Sequence, residues 1–97
     1  MPKGYWIAHG RVDDPDAYGA YRAANAAPLA QYGGRFLVRG GARETVEGEA
    51  KPRTVVIEFP SYEAALACYR SDGYQAAIRL RAGISESDLV IAEGYDG

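Results

Sequence analysis

Two arginines, a glutamate and the one histidine of the chain lie in predicted strands, where they could act together on a proton. Arg35 and Arg39 stand in one strand, Glu58 in another and His9 in the first. A carboxylate held by an arginine stays ionised, and it can orient an imidazole and raise its basicity. His9 would then be a general base, oriented by Glu58, and Arg35 or Arg39 would hold a substrate carboxylate or enolate. The predicted catalytic residues are therefore His9 and Glu58, with Arg35 and Arg39 as substrate-binding residues.

This grouping depends on which side chains share a face of the sheet. Period-two alternation sends Arg35 and Arg39 to one face of their strand. We expect the first and third strands to be central, parallel neighbours, with His9 beside Glu58 and Arg35 opposite Glu58. The structural alternative is a cross-strand ion network on a half-exposed or dimer-facing sheet. Such a network by itself contributes little to the stability of the fold. The other face should collect the residues that helices cover, which are Phe36, Val38, Val55, Ile57, Phe59, Val90 and Ala92.

A second group of polar side chains is expected between the helices and the sheet. Tyrosine hydroxyls and an amide that converge on a cavity could bind a small polar or aromatic ligand. The tyrosines could instead fill the core and leave their hydroxyls at its rim, and both interpretations stay open. The residues predicted to bind substrate here are Tyr21, Asn25, Tyr69, Tyr74 and Arg79.

The helices and strands that hold these residues can be predicted from the spacing of apolar side chains, from helix-capping residues and from glycines and prolines that end an element. Gly4–Val12 alternates as a strand, and Asp14 followed by Pro15 begins a helix with a buried stripe at spacings of three and four. Pro28 predicts a kink or a fresh turn in that helix, and Gly33 ends it. The other expected elements are a strand within 33–41, a hairpin connection over 42–51 that is either a lid or a plain loop, a strand over Arg53–Phe59, helices over Tyr62–Arg70 and 74–82, and a strand over 88–93.

The order strand, helix, strand, strand, helix, strand predicts one α+β domain over residues 1–97. It is the ferredoxin-like βαββαβ arrangement, with an antiparallel four-stranded sheet and the helices on one face. The uncovered face must then contact water or a second sheet. A chain of 97 residues buries only about 60–65% of its unfolded surface, so dimerisation would add stability.

The composition argues against several classes of partner. The net charge is -2 and no run of lysine or arginine occurs, so nucleic-acid binding is not expected. One histidine and one cysteine cannot form a structural zinc site, and the glycine pairs do not form a phosphate-binding fingerprint, so we expect neither a metal nor a cofactor. The single cysteine suits a reducing compartment, and no signal sequence or membrane-spanning run is found. We therefore expect a cytoplasmic protein without membrane contact.

Five stretches of the sequence resemble domain-of-unknown-function family 1330. They cover nearly the whole chain, and the arginine strand between its two glycine pairs is the most specific of them. The family usually has Ser-Pro-Glu-Tyr where this chain has Ser-Asp-Gly-Tyr at 71–74, a departure that loosens the turn and keeps Tyr74. The resembling stretches are GYWI at 4–7, YGGRFLVRGG at 32–41, VIEFPS at 56–61, YRSDGYQA at 69–76 and DLVIAEG at 88–94.

The resemblance implies a subunit of the dimeric α/β-barrel type, a homodimer in which two sheets pack face to face and cover the charged face. Relatives in that superfamily include cofactor-free monooxygenases, muconolactone-isomerase-like enzymes and proteins of stress or degradation pathways. The first hypothesis is thus a small dimeric barrel that binds a small organic molecule, aromatic or carboxylated, with cofactor-free monooxygenase-like or isomerase-like activity. The alternatives are a non-catalytic dimeric module with a self-complementary charged interface and a pathway-accessory protein.

Overall fold

In a computed structural model, the described part of the chain, residues 2–96, forms a four-stranded antiparallel sheet with three helices on one face. The strand order is β2-β3-β1-β4. This arrangement confirms the predicted α+β, ferredoxin-like fold. The predicted domain, 1–97, extends over residues 1 and 97, which lie outside the described part. The elements are β1 (Gly4–Val12), α1 (Pro15–Gln31), β2 (Arg35–Arg39), β3 (Arg53–Phe59), α2 (Tyr62–Arg70), α3 (Asp72–Arg79) and β4 (Ser85–Glu93).

Helix α1 begins and ends where its capping residues predict. The Asp14 side chain accepts a hydrogen bond from the backbone N–H of Ala17 at 3.1 Å, and Pro15 occupies the first helical position. Gly33, with φ of 77°, allows the chain to leave the helix in the left-handed region. Pro28 lies inside a helix that continues to Gln31, so the fresh turn expected there is not formed.

Two later elements begin earlier than predicted. Helix α3 begins at Asp72, because the Ser71 hydroxyl accepts a hydrogen bond from the backbone N–H of Tyr74 and so caps a new helix directly after α2. Strand β4 begins at Ser85, where it pairs with the end of β1, rather than at Asp88.

The expected parallel pairing of the first and third strands is wrong. Strands β1 and β3 are antiparallel, with Tyr5 opposite Glu58 and His9 opposite Thr54. The crossover through α1 returns β2 in the direction of β1, and the hairpin connection then reverses β3. His9 therefore does not lie beside Glu58. The predicted pairing of Arg35 with Glu58 is confirmed.

A register shift in β2 moves Arg39 to the opposite face from Arg35. Phe36 pairs with Ile57 but Val38 pairs with Val56, so the alternation breaks between them, as at a β-bulge. Arg39 consequently shares the helix-covered face with Phe36, and Val38 lies on the open face. The expected place of Val90 and Ala92 on the covered face is also wrong, because they pair with open-face residues of β1.

The core lies between the covered face and the helices. Trp6 and Phe59 contribute stacked rings from the sheet, with centroids 5.1 Å apart. The Trp6 indole N–H donates to the carbonyl of Ala65 at 2.9 Å, which ties α2 to β1 while satisfying a buried polar group. Between residues 2 and 96, no helix is both long enough and apolar enough to cross a membrane.

Candidate functional site

A cleft lies between α1 and the covered face of the sheet. Helix α1 packs against α3 and α2. Its backbone does not lie close to the strands, and side chains fill part of the space between them. Part of the space in the cleft is open to solvent. Its walls are largely apolar, with Trp6, Leu29, Phe36, Ile57 and Leu89 among them.

Two buried tyrosine hydroxyls share a hydrogen bond inside this cleft. Tyr21 of α1 and Tyr74 of α3 are joined at 2.6 Å between their oxygens, and both side chains are buried. Burial raises the pKa of the Tyr74 hydroxyl far above its usual value, and the neighbouring Tyr21 raises it further. Tyr74 is therefore neutral at physiological pH, and the pair has one hydroxyl hydrogen left to donate to a third oxygen.

Arg81 completes this polar corner of the cleft. Its guanidinium carbon lies 4.7 Å from the centroid of the Tyr21 ring, and Nη1 donates to the Tyr21 oxygen at 3.4 Å. Burial alone would lower the pKa of Arg81, but the hydroxyls of Tyr21, Tyr74 and Tyr18 outweigh it and raise the pKa. A positive charge is thus held against the neutral hydroxyl pair, where it would favour a partially negative oxygen on a ligand.

Asn25 presents the most unusual polar group of the cleft. It is 7% exposed, lies one helical turn after Tyr21 and lines the cleft. Among residues 2–96, no group forms a hydrogen bond with its side-chain amide, and no side-chain nitrogen or oxygen sealed from solvent lacks a partner. The Asn25 amide therefore faces the open space of the cleft, where it can donate and accept hydrogen bonds.

Arginines Arg39 and Arg53 lie at the outer part of the cleft. Arg39 is exposed, and its guanidinium carbon stacks 4.0 Å from the centroid of the Phe36 ring. Arg53, at the beginning of β3, is half-buried. The cleft thus has hydrogen-bonding groups and the Arg81 guanidinium in its interior and two further arginines at its outer part.

The open face of the sheet carries a separate polar network. The Tyr5 hydroxyl donates to Glu58 at 3.0 Å, and Arg35 Nε donates to the other carboxylate oxygen at 3.1 Å. The hydrogen bond from Tyr5 lowers the pKa of Glu58, and that from Arg35 lowers it further. Glu58 therefore stays ionised, as predicted, but its hydrogen-bond partners are Tyr5 and Arg35 rather than an imidazole.

His9 lies at the other end of the open face. Its Nδ1 is 2.9 Å from the Thr54 hydroxyl, which also accepts a hydrogen bond from Arg43 at 3.0 Å. Four residues of β1 separate Tyr5 from His9, or roughly 13 Å at the usual rise per residue. Within one chain, His9 and Glu58 are thus too far apart to act as a pair, and their catalytic roles stay predictions.

The connection between β2 and β3 returns against the His9 end of the open face. Lys51 reaches across β1 to form an ion pair with Asp88 of β4 at 2.5 Å, and Arg43 bonds the carbonyl of Ala50 at 3.4 Å. These contacts hold the connection at that end of the sheet. Whether it acts as a lid stays a prediction.

Cys68 and the acidic residues offer no metal site. The thiol is buried, and burial raises its pKa to about 11, so Cys68 is a thiol rather than a nucleophilic thiolate. In the described range, no three histidine, cysteine, aspartate or glutamate side chains come together as metal ligands.

The structure separates the predicted tyrosine group into residues that line the cleft and residues that do not. Tyr21, Asn25 and Tyr74 line it. Tyr69 packs its ring against Trp6 and Tyr74, with centroids 5.9 and 5.5 Å away, and is not part of the lining. Arg79 is exposed on α3 outside the cleft.

Four arginines that line the cleft were not among the predicted site residues: Arg11, Arg22, Arg53 and Arg81. A sequence signal exists for the last two. Arg81 follows Tyr74 by seven residues, a spacing that returns to the same side of a helix. Arg53 alternates with Val55 and Ile57, which places it on the covered face. The strand alternation and the helical spacing would thus have identified both residues.

Solved structures with this fold come from several bacteria. A protein of unknown function from Rhodopseudomonas palustris is 20% identical, with a TM-score of 0.75 over 99% of this chain and 85% of that one. SnoaB, a cofactor-independent oxygenase from Streptomyces nogalater, is 15% identical, with a TM-score of 0.65 over 100% and 97%. A dimeric ferredoxin-like protein of unknown function from Thermobifida fusca is 18% identical, with a TM-score of 0.61 over 95% and 91%. At these identities the likeness concerns the fold alone.

The sequence comparison places the chain in a family without an assigned activity. No curated protein matches it. Residues 3–95 match the family described as domain of unknown function DUF1330. The match covers nearly the whole chain, as the resembling stretches predicted, and the chain belongs to this family.

Proposed function

We propose that this protein binds a small organic molecule, aromatic or carboxylated, in the cleft between α1 and the sheet. The observation that carries the proposal is the amide of Asn25, which is buried and has no hydrogen-bond partner among residues 2–96. Because no side-chain oxygen or nitrogen sealed from solvent lacks a partner among residues 2–96, this amide is open to the cleft, where a ligand oxygen or N–H can form hydrogen bonds with it.

The surroundings of Asn25 indicate what kind of molecule fits. Apolar walls formed by residues such as Trp6 and Phe36 suit a hydrocarbon or aromatic body, and the Tyr21–Tyr74 pair suits an oxygen. Binding sites for small organic molecules commonly combine such walls with a few convergent polar groups. The ligand would therefore place a carbonyl or hydroxyl oxygen among Asn25, Tyr21 and Tyr74.

The same groups support an enzymatic form of this proposal. A hydroxyl pair backed by the Arg81 guanidinium would stabilise an enolate or phenolate oxygen, which is the charge that develops during proton abstraction beside a carbonyl. The shared fold with SnoaB is in keeping with this chemistry. His9 lies on the other face of the sheet, so a role for it as the base requires a second site there.

We further propose that the open face pairs with a second copy of the chain. Apolar side chains are exposed on it at Ile7 (36%), Val38 (40%) and Val90 (59%), beside the Glu58–Arg35 ion pair. A two-fold contact would cover these residues and bring two identical ion pairs into one interface. The dimeric neighbour from Thermobifida fusca supports this assembly. Without ligand binding, the same interface would describe the non-catalytic dimeric module.

Ligand-induced thermal shifts in matched variants test where binding occurs. The compounds are 2-naphthol, simple quinones and aromatic carboxylic acids, screened against wild type, Asn25→Leu and Glu58→Gln. At 100 times its dissociation constant, a ligand stabilises the protein by about 2.7 kcal/mol, or roughly 10–20 °C in a chain of this size. Gln31→Leu, which removes an exposed amide from the same helix, is the control.

Each outcome of the screen has a defined meaning. We expect shifts that are lost in Asn25→Leu and kept in Glu58→Gln and Gln31→Leu. Shifts lost only in Glu58→Gln would move the site to the open face. Absence of any shift from the whole set, with a stable dimer, would favour the non-catalytic module over the binding protein.

A further inference from the structure

Arg39 and Arg53 are two arginines on the covered face of the sheet. Arg39 pairs with Val55, and Arg53 lies two residues earlier on β3, so the two arginines are diagonal neighbours across the strand pair. Both line the mouth of the cleft. Diagonal side chains on one sheet face are within reach of a common partner when they are as long as arginine.

The backbone around Arg53 makes room for its side chain. Gly40 has φ of 72°, and a Cβ there would lie only 2.7 Å from Arg53 Nε, so the arginine lies against the Gly40 backbone. Gly10 is opposite Arg53 on β1 and also lines the cleft.

These two arginines also differ from others that have carboxylate partners. Arg11 pairs with Asp13 and Glu86, and Arg35 pairs with Glu58. Within the described residues, neither Arg39 nor Arg53 has a carboxylate within ion-pairing distance. A ligand carboxylate would supply the counter-charge that both arginines lack.

We infer that Arg39 and Arg53 form a subsite for the carboxylate of the cleft ligand, whose other end places a carbonyl or hydroxyl oxygen at Asn25. The inference rests on the proposed function, because it takes the cleft as the binding site. The buried, unpartnered amide fixes the inner end, and the two arginines fix the outer end. Four residues of β3 separate Arg53 from Ile57 in the interior, roughly 13 Å, a distance that a substituted bicyclic acid can span with the help of the flexible arginine side chains.

The substrate class that follows is a carboxylic acid with an apolar, planar body and an oxygen at the end opposite the carboxylate. Guanidinium groups bind carboxylates through paired, charge-assisted hydrogen bonds, which lysine cannot reproduce. An uncharged amide of the same shape would keep the apolar contacts and lose this interaction. Loss of hydrogen bonds to a charged group lowers affinity by about tenfold or more.

The test compares 6-hydroxy-2-naphthoate with 6-hydroxy-2-naphthamide, which share the body and the hydroxyl and differ in charge. Dissociation constants are measured by isothermal titration for wild type and for Arg39→Gln/Arg53→Gln. The control is Arg70→Gln/Arg79→Gln, which removes the same charge from exposed helix positions. We expect wild type and the control to prefer the carboxylate by about tenfold or more, and Arg39→Gln/Arg53→Gln to bind both compounds equally, with its affinity for the amide unchanged.

The outcomes separate this inference from the proposed function. Equal binding of the two compounds by wild type, or a preference that persists in Arg39→Gln/Arg53→Gln, overturns the carboxylate subsite and leaves the cleft as a ligand site. Failure of both compounds to bind wild type contradicts the subsite and the proposed function together. Displacement of the naphthoate by millimolar inorganic phosphate but not by benzoate overturns the assignment to a carboxylate.

Discussion

The two faces of the sheet differ in what their described side chains lack: apolar side chains on the open face are exposed, and some polar side chains on the covered face have no hydrogen-bond partner. On the open face, polar side chains satisfy one another, as in the Tyr5–Glu58–Arg35 and His9–Thr54–Arg43 contacts. The apolar residues between them remain exposed. On the covered face, the apolar residues are buried against helices, and a polar amide and two arginines have no hydrogen-bond or ion-pair partner among residues 2–96.

This difference indicates what each face lacks. A face with satisfied polar groups and exposed apolar side chains lacks apolar contact, which a second sheet supplies. A cleft with apolar walls and unpartnered polar groups lacks hydrogen-bond partners and a counter-charge, which a small acid supplies. The proposed dimer thus follows from missing apolar contacts on the open face, and the proposed ligand follows from missing polar contacts on the covered face of the same four strands.

The largest expected effect is on the stability of the covered face. Phe59→Ala removes a ring with 0% exposure, and we expect the free energy of unfolding to fall by about 3–5 kcal/mol because a cavity replaces the ring. Urea unfolding followed by circular dichroism measures the change. The control Leu80→Ala, at an exposed site beyond α3, should change stability by less than about 1 kcal/mol. A similar loss in both variants would contradict the burial of Phe59 in the core.

The next effect concerns assembly through the open face. Val90→Glu places a carboxylate opposite Ile7, where a second sheet would bury it without a partner. We expect the dissociation constant of the dimer to rise by about 100-fold or more, measured by sedimentation velocity over a concentration series. Leu80→Glu adds the same charge on the helical side and should leave the dimer intact. Equal dimer dissociation constants for Val90→Glu and Leu80→Glu would exclude the open face as the interface.

A smaller effect is expected at the tyrosine pair in the cleft. Tyr21→Phe leaves the buried hydroxyl of Tyr74 without its 2.6 Å partner, which we expect to lower stability by about 1–3 kcal/mol. Adding Tyr74→Phe should recover part of this loss, because no unpaired hydroxyl then remains. Chemical denaturation of wild type, the two single variants and the double variant gives the coupling energy between the two hydroxyls. Strictly additive losses would show that the two hydroxyls act independently, and Tyr95→Phe is an exposed control.

The smallest effect is on acid stability, through Glu58. Its pKa is lowered below the ordinary value of 4.5 by Tyr5 and Arg35, so its stabilising contribution is present above pH 4.5 and is lost as the pH falls through the depressed value. Glu58→Gln should therefore flatten the dependence of unfolding free energy on pH between about 5 and 3. Glu44→Gln, in the exposed connection, should keep the wild-type slope. An unchanged slope in Glu58→Gln would show that Tyr5 and Arg35 do not stabilise the ionised carboxylate in solution.

Residues that act within one element were predictable from the sequence. The cap at Asp14, the strand bounds of β1 and the stripe through Tyr21 and Asn25 depend on neighbours a few positions away. Local sequence therefore contains all the information that these features need. For the same reason, the sequence placed Tyr21 and Asn25 on the same buried face of α1.

Contacts between elements were predicted less well, since they depend on register. His9 was expected beside Glu58, but it faces Thr54, because antiparallel pairing makes residue numbers run in opposite directions along β1 and β3. Arg39 was expected beside Arg35, but the register shift after Phe36 turns it to the other face. Neither a strand direction nor a bulge leaves a signal in the alternation itself.

The sequence by itself thus determined the elements of this protein, its family, its ferredoxin-like order and the polar residues of one helix face. The tertiary structure alone decided which charges meet. It separated His9 from Glu58, brought Arg39 and Arg53 together at the cleft mouth and left the Asn25 amide without a partner within residues 2–96. The physical reason is that a hydrogen bond or an ion pair depends on distances of a few ångströms between groups far apart in sequence, and only the pairing of strands and the packing of helices fix those distances.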